Sequence, residues 1–278
     1  MNVKKFVVLD KSYVMASSTA GLRSLFEEYD FLLPEAFTYE LAKATPEKRA
    51  KEFRKFPTVD KPFYPVPHVG VFLNQELTYH QACAKPSEGL RNIAYGHVKD
   101  FSDPKYVLAP HLAQALEKRR EEVFLDTEVF LQDIDLFRAE YAHQLKNIQR
   151  EEVRYELESK IVNDRDVFLR HYDQLKVDQK LNPGKVKIPA EMIDERWITY
   201  RWYQVRGLFA LDLAARYPDT DVIRSSEAAM EKLRHDVLDA QYLTVASIQG
   251  SFAVQEEKIK RWWKLLCPNG DLLAIPTP

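Results

Sequence analysis

The residues with the most chemistry to offer are acids that fall at the ends of short apolar runs. Asp10 closes the run Phe6, Val7, Val8, Leu9, and Glu256 with Glu257 follow Phe252, Ala253 and Val254 near the other end of the chain. Glu40 lies just after a second early run, Phe31, Leu32, Leu33. Asp236 and Asp239 stand at i and i+3, on one face of a helix-forming stretch. If the apolar runs are strands of one parallel sheet, their carboxyl ends share an edge, where loops and helix starts gather. Four segments then deliver carboxylates to one place. Like charges brought together raise one another's pKa and resist joint ionisation, and a divalent cation is the usual neutraliser. Carboxylate oxygens suit Mg²⁺ or Mn²⁺. Two such ions about 3.5–4 Å apart activate a water and stabilise the leaving oxygen of a phosphodiester. Phosphodiester hydrolysis is therefore the chemistry such a cluster predicts.

The elements that must position these acids read as α/β at both ends of the chain. Phe6 to Leu9 is a continuous β-favouring run, as expected of a strand buried on both faces. Leu22, Leu25, Phe26 and Tyr29 recur at helical spacing, Phe31 to Leu33 give a second strand closed by Pro34, and Ala36 to Lys43 opens another helix. At the far end, Ser225 and Ser226 can cap a long helix that Gly250 ends. A strand at 252–254, the helix EEKIKRWWKLL, the turn Pro268-Asn269-Gly270 and a last strand at 272–275 follow. Between the ends, Pro110 to about Leu175 carries one apolar stripe of helical period, and Ile198 to Leu211 carries another, which predicts long paired helices. Residues 180–189 read as a loop. The proline-rich stretch 56–110 shows no sustained period and reads as irregular or mixed.

Bulk properties remove several alternatives. Forty Lys plus Arg against 42 Asp plus Glu give a net charge of −2, which excludes a polybasic nucleic-acid coat. The 45% of hydrophobic residues supply a packed core. Cys83 and Cys267 lie far apart without a CxxC pattern, and the seven histidines show no HxH or HExxH spacing, so neither a disulfide framework nor a zinc site is expected. Dinucleotide, P-loop and esterase glycine motifs are missing from a chain with 8 glycines. The sequence shows no signal-peptide core and no membrane span, and a cytoplasmic protein is the expectation.

In this order and context the motifs resemble the PIN domain family of metal-dependent ribonucleases. The resemblance rests on VVLDKS at 7–12, FTYEL at 37–41, DAQYLTVASIQG at 239–250 and FAVQEE at 252–257. It covers about a third of the chain. It implies a PIN-like α/β fold, a parallel sheet flanked by helices. One domain would take its core from residues 1–43 and 225–278 and carry a large, mainly helical insertion at about 44–224. It also implies that Asp10, Glu40, Asp239 and Glu257 are the catalytic metal ligands for Mg²⁺ or Mn²⁺. Asp236 is an alternative or additional third acid, Glu256 beside the fourth is a further metal ligand, and Ser12 helps hold the first acid's loop and binds substrate. Lys11 stands where the family has a small residue, Gln255 where it has Thr, and Glu257 where it has Asp. A toxin or phage-defence role is a further implication of the family alone.

RNA is the expected partner. The segment 43–55 carries six cations against two acids directly after Glu40, and Lys48, Arg49, Lys51, Arg54 and Lys55 are candidates for phosphate contacts. The same cations also suit a solvated helix face. Trp262 and Trp263 could stack bases, or place a ring in the core. An alternative of a different class is a catalytically inactive PIN-like protein whose helical insertion binds a protein partner or forms a homodimer.

Overall fold

A computed structural model describes residues 4–90, 98–173 and 184–275. Five strands form one sheet: β1 (Lys5–Leu9), β2 (Tyr29–Pro34), β3 (Tyr64–Val66), β4 (Ser251–Ala253) and β5 (Asp271–Leu273). Their order is β3-β2-β1-β4-β5, and every pairing is parallel. Val7, Val8, Leu9, Phe31, Leu32 and Leu33 have no exposed surface, as unbroken apolar strands in a parallel sheet require. The chain moves outward from β1 through β2 to β3, then returns to the other side of β1 as β4. The reversal puts a topological switch point between β1 and β4, the place where open α/β sheets leave a crevice at the carboxyl ends of their strands.

Helices connect these strands. They are α1 (Lys11–Ala16), α2 (Thr19–Glu28), α3 (Glu35–Lys43), α4 (Pro46–Phe53), α5 (Val69–Tyr79), α6 (Val98–Phe101) and α7 (Pro110–Glu140), then α8 (Ala142–Leu145), α9 (Glu151–Asn163) and α10 (Arg165–Tyr172). After these come α11 (Ile198–Arg216), α12 (Thr220–Arg224), α13 (Glu227–Gln249) and α14 (Glu257–Leu266). The helix starts carry their own signals. Ser18 Oγ accepts the Gly21 amide at α2, Thr45 caps α4 ahead of Pro46, and Ser226 Oγ accepts the Ala229 amide at α13. Gly250 ends α13 at φ +84°, a left-handed conformation that glycine adopts without strain.

The stretch 56–110 is more ordered than its lack of period implies, since it supplies β3, α5 and α6. Proline normally argues against a strand, and Pro65 sits inside β3. It is tolerated because β3 is the edge strand, where one row of amides has no partner to lose. Of the expected loop at 180–189, residues 180–183 lie outside the described residues, as do 174 and 175 of the expected helical stretch; 184–189 form no helix or strand.

The chain divides into two compact units. One comprises Met1–His68, Ala84–Glu121 and Gln241–Pro278; the other comprises Val69–Cys83 and Glu122–Ala240. The first holds the sheet, and residues 44–68 and 84–121 belong to it. Phe37, Phe53 and Phe56 pack edge-on or tilted against one another in its core, with Phe31 and Phe63 against the Phe56 ring. The second unit is helical. Its core includes Phe130, Ile134, Phe137, Ile161, Leu208 and Phe209, and a cluster of Phe168, Tyr172, Ile188, Ile193, Trp197 and Tyr200. No helix among the described residues is long and apolar enough to cross a membrane.

Candidate active site

The switch point is occupied by Asp10. It follows β1 directly, its amide donates to the Ala253 carbonyl of β4 at 3.0 Å, and it is only 6% exposed. Asp10 is also the N-cap of α1. Its Oδ2 accepts both the Ser12 amide at 2.9 Å and the Ser12 hydroxyl, so the capping role and a site role fall on one residue. Ser12 Oγ in turn accepts the Gln255 amide at 3.2 Å, which ties the loop after β4 to the loop after β1. Gln255 extends the tie, exchanging hydrogen bonds with the Ile275 backbone in both directions.

Burial pushes the Asp10 carboxyl up to about 6. The hydrogen bonds from Ser12 pull against that rise, while the charges of Glu40 and Glu256 add to it. Two acids from separate segments of the sheet-bearing unit therefore both act on Asp10 at this edge. Glu40 projects from α3. It is held by an ion pair from Lys11 to Oε1 and by the Tyr242 hydroxyl, which donates to Oε2 at 3.0 Å.

The other expected acids have different surroundings. Glu257 opens α14, is 84% exposed on its side chain and pairs with Lys260 at 2.8 Å; the acid after β4 whose charge reaches Asp10 is Glu256. Lys258 lies 3.7 Å from Glu256. Asp236 and Asp239 belong to the helical unit's part of α13. Asp236 is buried and accepts from Arg216 at 2.9 Å, and Arg216 also reaches Asp212 at 2.9 Å. Asp239 is half-buried.

The basic segment splits in the same way. Arg49 is 4% exposed, donates to the Tyr106 carbonyl at 2.8 Å and lies over the Phe101 and Tyr106 rings. Lys55 is 8% exposed and donates to the Val14 and Met15 carbonyls while pairing with Glu52. Both are engaged by the protein's own backbone, unlike the solvated cations expected to meet phosphate; Arg49 packs its guanidinium against two rings while Lys55 turns its ammonium onto two carbonyls. Lys48, Lys51 and Arg54 remain exposed. Arg54 lines a cleft of about 960 Å³ together with Arg23, Lys61 and Lys99, and Phe53 and Phe56 also line it. Trp262 and Trp263 are both buried, so neither offers a ring for base stacking.

Tyr242 was not among the expected site residues, although it shares a face of α13 with Asp239 three positions earlier. Its partner Glu40 is 202 residues away in the chain, so no local pattern could announce the contact.

No family model, curated protein or solved structure matches the chain.

The oxygen donors at the edge are of the type Mg²⁺ and Mn²⁺ prefer. The arrangement does not close a ligand set, however. Among the described residues no three Asp, Glu, His or Cys side chains come together to hold a metal ion. The Lys11 ammonium already sits on Glu40, and that is where the donors and the metal disagree.

Proposed function

We propose that the chain is a Mg²⁺- or Mn²⁺-dependent ribonuclease of PIN-like type, acting at the carboxyl edge between β1 and β4. The observation that supports this reading is the setting of Asp10: a buried carboxylate at the switch point of a parallel sheet, pushed up to about 6 in an edge it shares with Glu40 and Glu256. A divalent ion bound there would offset the acids' mutual repulsion and supply Lewis-acid chemistry to a phosphodiester. The chain's own residues do the rest. Ser12 and Gln255 fix the two loops and hold Asp10 in place, Glu40 and Glu256 set the negative field, and the exposed Lys48, Lys51 and Arg54 contact RNA phosphates. Asp239 and Glu257 remain candidates in this reading. A toxin or defence role rests on the resemblance alone.

A second reading has one observation in its favour. The Lys11–Glu40 ion pair neutralises part of the edge without any metal, as expected of an inactive PIN-like protein that binds a protein partner instead. Cleavage of a labelled RNA by the purified chain with Mn²⁺, with Mg²⁺ and with a chelator separates the two. The nuclease reading expects metal-dependent cleavage that Asp10→Asn abolishes, together with a rise in melting temperature on adding Mn²⁺ that the variant loses. Cleavage that survives both the chelator and Asp10→Asn, or no cleavage and no thermal shift, would sink it.

A further inference from the structure

We infer that Lys11 is the resident cation of this edge, taking the place of one of the two ions of a two-metal phosphodiester site, so that the chain admits at most one divalent ion there. The inference rests on the metal reading above and specifies how that site is regulated. Its basis is the engagement of Glu40: Oε1 is ion-paired with the Lys11 ammonium and Oε2 accepts the Tyr242 hydroxyl at 3.0 Å. The lysine and glutamate side chains are 21% and 6% exposed, so solvent screens the pair far less than it would an ion pair on the open surface. A second cation bidding for Glu40 must displace an ammonium already seated there.

Lys11 is not explained by its own helix. It is the first residue of α1, next to the cap Asp10, and a cation at a helix N-terminus opposes the helix dipole. The cap fixes the Lys11 backbone relative to Asp10 through the two Ser12 hydrogen bonds, so the positive charge is built into the same loop as the first acid. An ammonium is a compact point charge, closer in character to a bound ion than a guanidinium would be. Lys11 thus sets how many divalent ions the edge can hold, by engaging Glu40 as a bound ion would.

The test is a Mn²⁺ titration of the 278-residue chain, reading free Mn²⁺ by electron paramagnetic resonance. It compares wild type, Lys11→Met, Lys11→Arg, Asp10→Asn and Lys11→Met/Glu40→Gln. Wild type should bind no more than one Asp10-dependent ion. Lys11→Met should bind Mn²⁺ about tenfold more tightly or take up a second ion, since a removed neighbouring charge shifts binding by an amount of that order. Lys11→Arg keeps the cation and should titrate like wild type, and the added Glu40→Gln should cancel the gain. If Lys11→Met titrates like wild type while Asp10→Asn loses binding, the metal reading stands and the role given to Lys11 is overturned. If only Lys11→Met binds, Lys11 keeps its role and the wild-type edge is closed to metal. Should no variant bind, both fall. Circular dichroism of each variant separates lost binding from lost fold.

Discussion

The carboxylate of Glu76 closes the N-terminus of α11: Oε1 accepts the Ile198 amide at 2.8 Å and Oε2 accepts the Thr199 amide at 2.9 Å. The Thr199 hydroxyl at 2.7 Å and the Cys83 amide at 3.1 Å complete four donors to a side chain with no exposed surface. The N-cap residue itself, Trp197, provides no side-chain acceptor. A buried acid from α5 therefore does what a local Ser or Asp usually does, and its charge suits the positive end of the helix. Glu76→Ala should cost about 2–4 kcal/mol, because it strands several buried donors. Glu76→Gln should cost less, since one oxygen still accepts. Urea denaturation reads both values, and an alanine variant within about 0.5 kcal/mol of wild type would contradict this role.

Cys83 lies in the field of the same acid. Burial, then the Glu76 charge and its hydrogen bond, push the thiol up to about 12. Thiolate is the reactive form, so near neutral pH this cysteine should resist alkylation in the folded protein. Iodoacetamide labelling followed by peptide mass analysis should find Cys83 unmodified in native buffer and modified in denaturant. Rapid native labelling at that position would show the thiol is not held in this way.

Asp10 makes stability depend on pH in the direction opposite to that of a salt-bridged acid. The folded carboxyl keeps its proton to about pH 6, whereas the unfolded one releases it near the ordinary carboxyl value of 3.8. Between those values the folded state binds more protons, so stability falls as pH rises through that window and is level above it. The total is about 3 kcal/mol by linkage. Asp10→Asn cannot ionise, so with a chelator present it should gain on wild type between about pH 4 and pH 7. Denaturation of both proteins at the two pH values gives the comparison. A wild-type-to-variant difference that stays constant with pH would count against the burial of a charge at this position.

The parts of the fold legible in the sequence were those governed by local pattern. β1 and β2 each contained an unbroken apolar run, α13 had serines before it and Gly250 after it, and the long amphipathic helices declared their period. β3 was illegible because Pro65 is permitted only by an edge position that the sequence does not state. The site followed the same rule. Asp10 could be placed because it directly follows a strand. The partners of Glu40 could not, because Lys11 and Tyr242 come from positions 29 and 202 residues away. Arg49 and Lys55 looked like phosphate contacts because charge alone does not tell a solvated side chain from one folded back onto its own carbonyls.

Asp236 tests whether a buried acid on α13 is a ligand or a structural partner. Arg216 bridges it to Asp212, and the Asp236 side chain is 4% exposed. Asp236→Asn should lower stability by about 1–3 kcal/mol, since it weakens a charge-assisted hydrogen bond and leaves the guanidinium less well compensated. It should leave any Mn²⁺-induced thermal shift unchanged. A variant of wild-type stability that no longer responds to Mn²⁺ would return Asp236 to the metal site.

Gly207 marks a close approach of packed side chains to α11 in the helical unit. A Cβ built there would stand 2.8 Å from Ile161 Cγ2 and 2.9 Å from Phe137 Cζ, nearer than carbon atoms pack. Both neighbours are buried, at 1% and 3% exposure, so neither can swing into solvent to make room. The gain in helix propensity from glycine to alanine is about 1 kcal/mol, and overpacking a closed core costs about 1–3 kcal/mol, so the clash wins. Gly207→Ala should therefore be destabilising despite adding a better helix former to α11. Combining it with Ile161→Val, which removes a methyl group beside the site, should recover part of the loss. Thermal denaturation of the two single variants and the double variant reads that coupling. An alanine variant more stable than wild type would mean that α11 stands further from α9 than these distances state.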